Sequence, residues 1–163
     1  GVTADDPIFV PYLSGERTPF MDPGLRGSWH GISLGTTRSM ILRSVLEGVA
    51  HAVSLAVHAV RDSGGEMPDT VPFIGGGSTN PVFAQLLADC AGRPLAHIEA
   101  PDAAVTGAAL LGTGVTSNPH RPEYSSVTLP REEEMVVLAS RRERLREIIA
   151  TSRGKGAGAT LLE

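Results

Sequence analysis

Apolar residues recur at spacings of three and four from Thr36 to about Ser63: Ile41, Val45, Val49, Ala52, Ala56 and Val60, with Leu46, Val53 and Val57 beside them. That period predicts one long helix, capped by Thr36 or Thr37 and closed by Gly64-Gly65. At 1.5 Å per residue such a helix is about 40 Å long, so it should cross the whole domain and pack on a sheet through its broad apolar stripe. Gly48, inside it, costs up to about 1 kcal/mol against alanine and marks a close contact. Shorter apolar runs predict strands over 8–13, 28–32, 71–74 and 94–98, the first an edge or bulged strand because Pro11 interrupts it. Helices are expected over 80–91, stopped by Gly92, and over 103–112, ended by Gly112-Thr113-Gly114. Strand, helix, strand, helix from residue 71 onward is the signature of an α/β layer. Residues 14–27 form a loop longer than a connector needs, 116–130 an irregular crossing segment, and 131–150 a charged amphipathic helix.

Composition narrows the picture. The chain has 163 residues, 41% hydrophobic and 20% charged, which suits one globular domain with a real core. A net charge of −4, and thirteen arginines scattered apart from the group Arg141, Arg142, Arg144 and Arg146, are not a nucleic-acid profile. No uninterrupted apolar run reaches the roughly 18 residues of a membrane helix and no signal segment opens the chain, so no membrane is expected and a cytoplasmic location is the default. Cys90, the single cysteine, predicts a buried core thiol. The start at Gly1, without an initiator methionine, is expected of a piece cut from a longer chain. Residues 1–150 are then the domain and 151–163 a flexible tail, with Leu162-Glu163 as a cloning scar.

The feature richest in chemistry is Gly75-Gly76-Gly77-Ser78-Thr79-Asn80, between the strand at 71–74 and the next helix. Ser78, Thr79 and Asn80 are all suitable N-caps, and Pro81 suits the first helical position. A glycine turn there brings bare backbone and free helix N–H groups to a sheet's C-terminal edge, where anions and nucleotides bind. A tight turn with no ligand explains the same glycines equally well. A P-loop is excluded, since Lys155 is the only lysine, and a dinucleotide fingerprint fails at Asn80.

Other chemistry is thin. Glu47 and His51 lie one helical turn apart, but His-Glu-x-x-His is absent, so a hydrogen bond is favoured over a metal. Asp22, Asp69, Asp89 and Asp102 flank loops or helix ends, and none has a partner in sequence that marks it as a base. No catalytic or metal-ligating residue is assigned.

Four segments in order resemble the C-terminal domain of the FGGY carbohydrate kinases, with the xylulokinase members as the nearest likeness. They are Pro11-Tyr12-Leu13-Ser14-Gly15-Glu16-Arg17-Thr18-Pro19; Asp22-Pro23 with Arg26-Gly27; Leu42-Arg43-Ser44-Val45-Leu46-Glu47-Gly48-Val49-Ala50; and the glycine turn through Leu86-Leu87-Ala88-Asp89. Gly107-Ala108-Ala109-Leu110 extends the likeness, which covers about residues 8–115. The resemblance implies a partial ribonuclease H-like, actin-like ATPase domain with a mixed sheet flanked by helices. It implies the ATP-binding half of a kinase that phosphorylates a sugar such as xylulose with ATP and Mg2+. The sugar-binding N-terminal domain and its catalytic aspartate would lie outside these residues, leaving this half inactive alone. By the same likeness Gly75, Gly76, Gly77 and Ser78 approach the adenosine or α-phosphate, and Asn80 contacts the adenine. Met40 stands where the family pattern has an acidic or amide residue, and the Gly-Thr-Ser-Gly hairpin of the family is absent. A non-catalytic nucleotide-binding or regulatory module is the alternative, and a face bared of its partner domain makes a homodimer the candidate assembly.

Overall fold

The computed structural model describes residues 3, 5–100, 102–114 and 123–153. Among these residues ten elements run in order: β1 (Ile8–Val10), β2 (Ser28–His30), α1 (Arg38–Asp62), β3 (Val71–Phe73), a 3-10 turn (Gly76–Thr79), α2 (Pro81–Ala91), β4 (Leu95–Ile98), α3 (Ala103–Gly112), β5 (Tyr124–Thr128) and α4 (Glu132–Arg153). β1 and β2 pair antiparallel, Ile8 opposite His30. β3 and β4 pair parallel, Val71 opposite Leu95, joined through α2 as a βαβ unit, and β5 adds antiparallel to β4. The expected α/β architecture with a mixed sheet is present.

Local rules account for most boundaries. β1 stops at Val10 because Pro11 has no N–H to pair. Thr37 caps α1, accepting from the Met40 N–H at 3.3 Å, while Met40 Sδ accepts from the Thr37 N–H at 3.4 Å. Met40 thus fills the capping-box position that Glu or Gln usually takes, and this is the local role of the residue that departs from the family pattern. Gly92, at φ +63°, ends α2 in the left-handed conformation.

Three expectations are corrected. The segment expected to be irregular over 116–130 contains β5, whose Ser, Thr and Tyr composition hid its pairing with β4; residues 115–122 lie outside the described residues. α4 runs to Arg153, so residues 151–153 are helix and not tail; the rest of that expected tail also lies outside the described residues. α1 does not lie across the β3–β4–β5 sheet: its main neighbours are α2 and β1.

The core has two buried clusters. Ala50, Leu86, Leu87, Ala88, Cys90, Leu95 and Leu138 form one. Ile8, Val10, Tyr12, Leu25, Leu55, Leu145 and Ile149 form the other, so α1 and α4 contribute to both. Gly48 explains how α1 approaches β1: a Cβ there would collide with the Phe9 carbonyl oxygen. α1 is long and apolar enough to span a membrane by length and composition, yet it buries Ser44, Glu47, His51 and Ser54 within this fold.

Candidate functional site

The glycine turn lies at the C-terminal end of β3, and each glycine does something different. Gly75 has φ +93°, a conformation that side chains resist. Gly76 has nothing within 4 Å of where a Cβ would stand, so its backbone faces open space. Gly77 packs instead, a Cβ there falling 3.3 Å from the Phe83 ring. The 3-10 turn closes on itself, the Ser78 hydroxyl donating to the Gly75 carbonyl at 2.7 Å and that of Thr79 to the Gly76 carbonyl at 2.8 Å. The N–H groups of Gly76 and Gly77, first in the turn, have no acceptor within it.

Asn80 caps α2. Its Oδ1 accepts from the N–H groups of Val82 and Phe83 at 3.0 and 3.1 Å, as Pro81 occupies the first helical position. The expectation that free donors of this helix face an anion is therefore corrected: Asn80 itself satisfies them. The side-chain amide of Asn80 still has both its own donors to offer.

Two cavities open beside the turn. One, of about 620 Å³, is lined by Gly75, Gly76, Ser78 and Thr79 together with His97, Ile98 and Glu99 from β4 and its end. The other, of about 690 Å³, lies between Ile74, Ala103, Thr106, Gly107, Leu110 and Tyr124. Both fall within the range of small-molecule sites. Ile98, Glu99, Ala100 and Ser125 line both, making them lobes of one cleft. Of the five residues singled out in sequence, Gly75, Gly76 and Ser78 line the cleft, while Gly77 and Asn80 do not. His97, Glu99, Ser125 and Tyr124 escaped the sequence reading. The strand end at Ile98 was a usable signal, since a second parallel strand must deliver its C-terminal residues to the same edge.

Neither lobe is lined by lysine or arginine among the described residues. No group of three His, Cys, Asp or Glu side chains gathers for a metal among them either. An open, polar backbone at Gly76 beside an apolar lobe fits a nucleotide, which has a polar and an apolar part, better than an isolated ion.

Two other candidates, Asp89 and Glu47, are held in structural contacts. Asp89 is buried and accepts from the Arg131 backbone N–H at 2.7 Å, the Arg131 guanidinium at 2.6 and 3.1 Å, and Gln85 at 3.0 Å. It ties the start of α4 to α2 and holds the Arg131 guanidinium above its usual pKa. Glu47 takes a hydrogen bond from Arg141 Nε at 2.5 Å, with His51 Nε2 at 3.5 Å, all three residues at most 3% exposed. Burial alone would raise the Glu47 carboxyl; His51 and Arg141 outweigh it and hold the group below its usual range. Arg141 also donates to the carbonyls of Thr3, Asp6 and Pro7 at 2.8 to 3.0 Å, pinning the approach to β1. Burial, reinforced by the charges of Glu47 and Asp89, pushes the Cys90 thiol well up, so it is no nucleophile at neutral pH. Burial and the charge of Glu16 push the Tyr12 hydroxyl up to about 12.

The chain is similar to known proteins in both sequence and fold. Residues 1–114 match the model of the FGGY family of carbohydrate kinases, C-terminal domain. The chain is 34% identical over 110 residues to a xylulose kinase of Staphylococcus epidermidis, covering 68% of this chain and 22% of that protein. It is 38% identical over 108 residues to a glycerol kinase of Myxococcus xanthus, covering 66% and 22%. Among solved structures it superposes on a xylulose kinase from Brucella ovis with a TM-score of 0.80 at 30% identity, covering 93% of this chain and 33% of that one. The chain thus spans about a fifth of the length of the curated relatives it matches.

Proposed function

Because the chain belongs to the FGGY family of carbohydrate kinases, matching its C-terminal domain, we propose that it is the nucleotide-holding half of an ATP-dependent sugar kinase, acting on a sugar such as xylulose. The observation that carries this is the glycine turn at the end of a parallel strand, its open Gly76 backbone facing a two-lobed cleft. The α-phosphate lies along Gly75, Gly76 and Ser78, while Gly77, packed on Phe83, and Asn80, capping α2, hold the turn in shape. Phosphoryl transfer depends on positioning and charge neutralisation. Among the described residues the cleft offers no lysine or arginine, so Mg2+ and the remainder of the enzyme supply that charge, together with the sugar site and the carboxylate that takes the hydroxyl proton.

The 163 residues by themselves are inert as a kinase. A cytoplasmic location accompanies ATP use, and a homodimer is the assembly we assign.

Calorimetric titration with ADP and Mg2+ tests the site. Saturable binding is expected, with no phosphorylated product from xylulose and ATP. Gly76→Leu should weaken binding at least tenfold while the melting temperature holds. No saturable heat from the unaltered chain, or undiminished binding by Gly76→Leu, refutes the assignment. Turnover by the isolated chain refutes its inactivity.

A further inference from the structure

We propose that Glu99 reads the ribose of the bound nucleotide, its carboxylate accepting hydrogen bonds from the 2′- and 3′-hydroxyls; this rests on the nucleotide reading above. The two lobes differ in chemistry. One is walled largely by Ile74, Ala103, Leu110 and the exposed ring of Tyr124, surfaces suited to the flat apolar face of a base, with Thr106 and Glu123 as polar side chains that line this lobe and not the other. The other is glycine backbone, hydroxyls and the His97 ring, suited to polar phosphate. A nucleotide has the same order of parts, so its sugar falls at the junction.

Among the described residues, Glu99 and Ser125 are the two polar side chains that line both lobes. The Ser125 hydroxyl already donates to the His97 carbonyl at 3.3 Å. Glu99 remains, exposed at the end of β4. A carboxylate has acceptors only, which suits a vicinal diol that donates twice. It repels phosphate, which fixes the polarity: base in the apolar lobe, phosphates beyond Gly76. An acidic residue at a strand end reading ribose hydroxyls is an established solution in nucleotide-binding sheets.

The test compares ADP, 2′-deoxy-ADP and 2′,3′-dideoxy-ADP by calorimetry on the unaltered chain, Glu99→Gln and Glu99→Ala. The unaltered chain should lose about tenfold in affinity from ADP to the dideoxy compound, the scale of a charged hydrogen bond. Glu99→Ala should bind all three alike, and Glu99→Gln, which keeps an acceptor without the charge, should fall between. Using this ratio cancels any gain from removing a negative charge near phosphate. Glu99 is exposed, so unchanged melting is expected of both variants. An ADP preference that survives Glu99→Ala, or none in the unaltered chain, overturns the role of Glu99 and leaves the nucleotide reading intact. No binding of any of the three overturns both.

Discussion

Arg141 illustrates how much one buried side chain organises. Its guanidinium meets Glu47 from α1 and three carbonyls ahead of β1, and so joins α4, α1 and the start of the described fold. Removing one partner of such a pair strands a buried charge, so Arg141→Met should cost about 3–5 kcal/mol in denaturant unfolding. Adding Glu47→Leu should recover much of that loss, because the stranded carboxylate disappears with its partner; no recovery would mean the carbonyl contacts carry the cost. The same pair sets a pH dependence. The folded Glu47 pKa lies below its ordinary value of 4.5, so the folded state holds this proton less tightly than the unfolded chain. Its stabilisation is therefore complete above 4.5 and is lost as pH falls through the lower, folded value. Melting temperatures from pH 7 to 3 should show this acid decline, flattened in Glu47→Gln. The role of Arg141 was recoverable from spacing, since Leu138, Arg141, Leu145 and Ile149 share one face of α4 and all are buried. Nothing local to the run Arg141, Arg142, Arg144 and Arg146 says which of the four turns inward, so that spacing had to be read against the core.

At the scale of elements, end signals were more informative than interior composition. Thr37, Asn80, Pro81 and Gly92 lie where capping chemistry predicts, because each acts on backbone groups within a few residues. Asn80→Ala removes the acceptor for two N–H groups and should cost about 1 kcal/mol in chemical denaturation. Glycine in its place should cost only a few tenths. Equal losses for both substitutions would separate Asn80 from its capping role. β5 was invisible for the complementary reason: Tyr124-Ser125-Ser126-Val127-Thr128 gains its strand character from pairing with β4, a contact between segments about thirty residues apart.

For the whole molecule, an exposed apolar stripe on α1 stands out among the described residues. Leu42, Val49, Val53 and Val60 follow one stripe and are 57%, 38%, 40% and 50% exposed. Their spacing of seven, four and seven residues is that of a helix-packing seam. The homodimer assigned above would cover it. Light scattering on the concentrated chain should give about twice the 17.0 kDa monomer mass, and Val53→Glu should return it to the monomer. A monomer mass at every concentration would remove the homodimer.

The long helix, the βαβ order, the glycine turn with its cap, and the family are legible along the chain, because they depend on short-range periodicity, local backbone chemistry and ordered motifs. Which glycine faces the cleft was decided only by the tertiary structure, as were the meeting of Glu99 with the glycine lobe and the burial of Glu47 and Arg141. Each is a relation between residues far apart in the chain, fixed by how helices and strands pack and not by any residue's own preference.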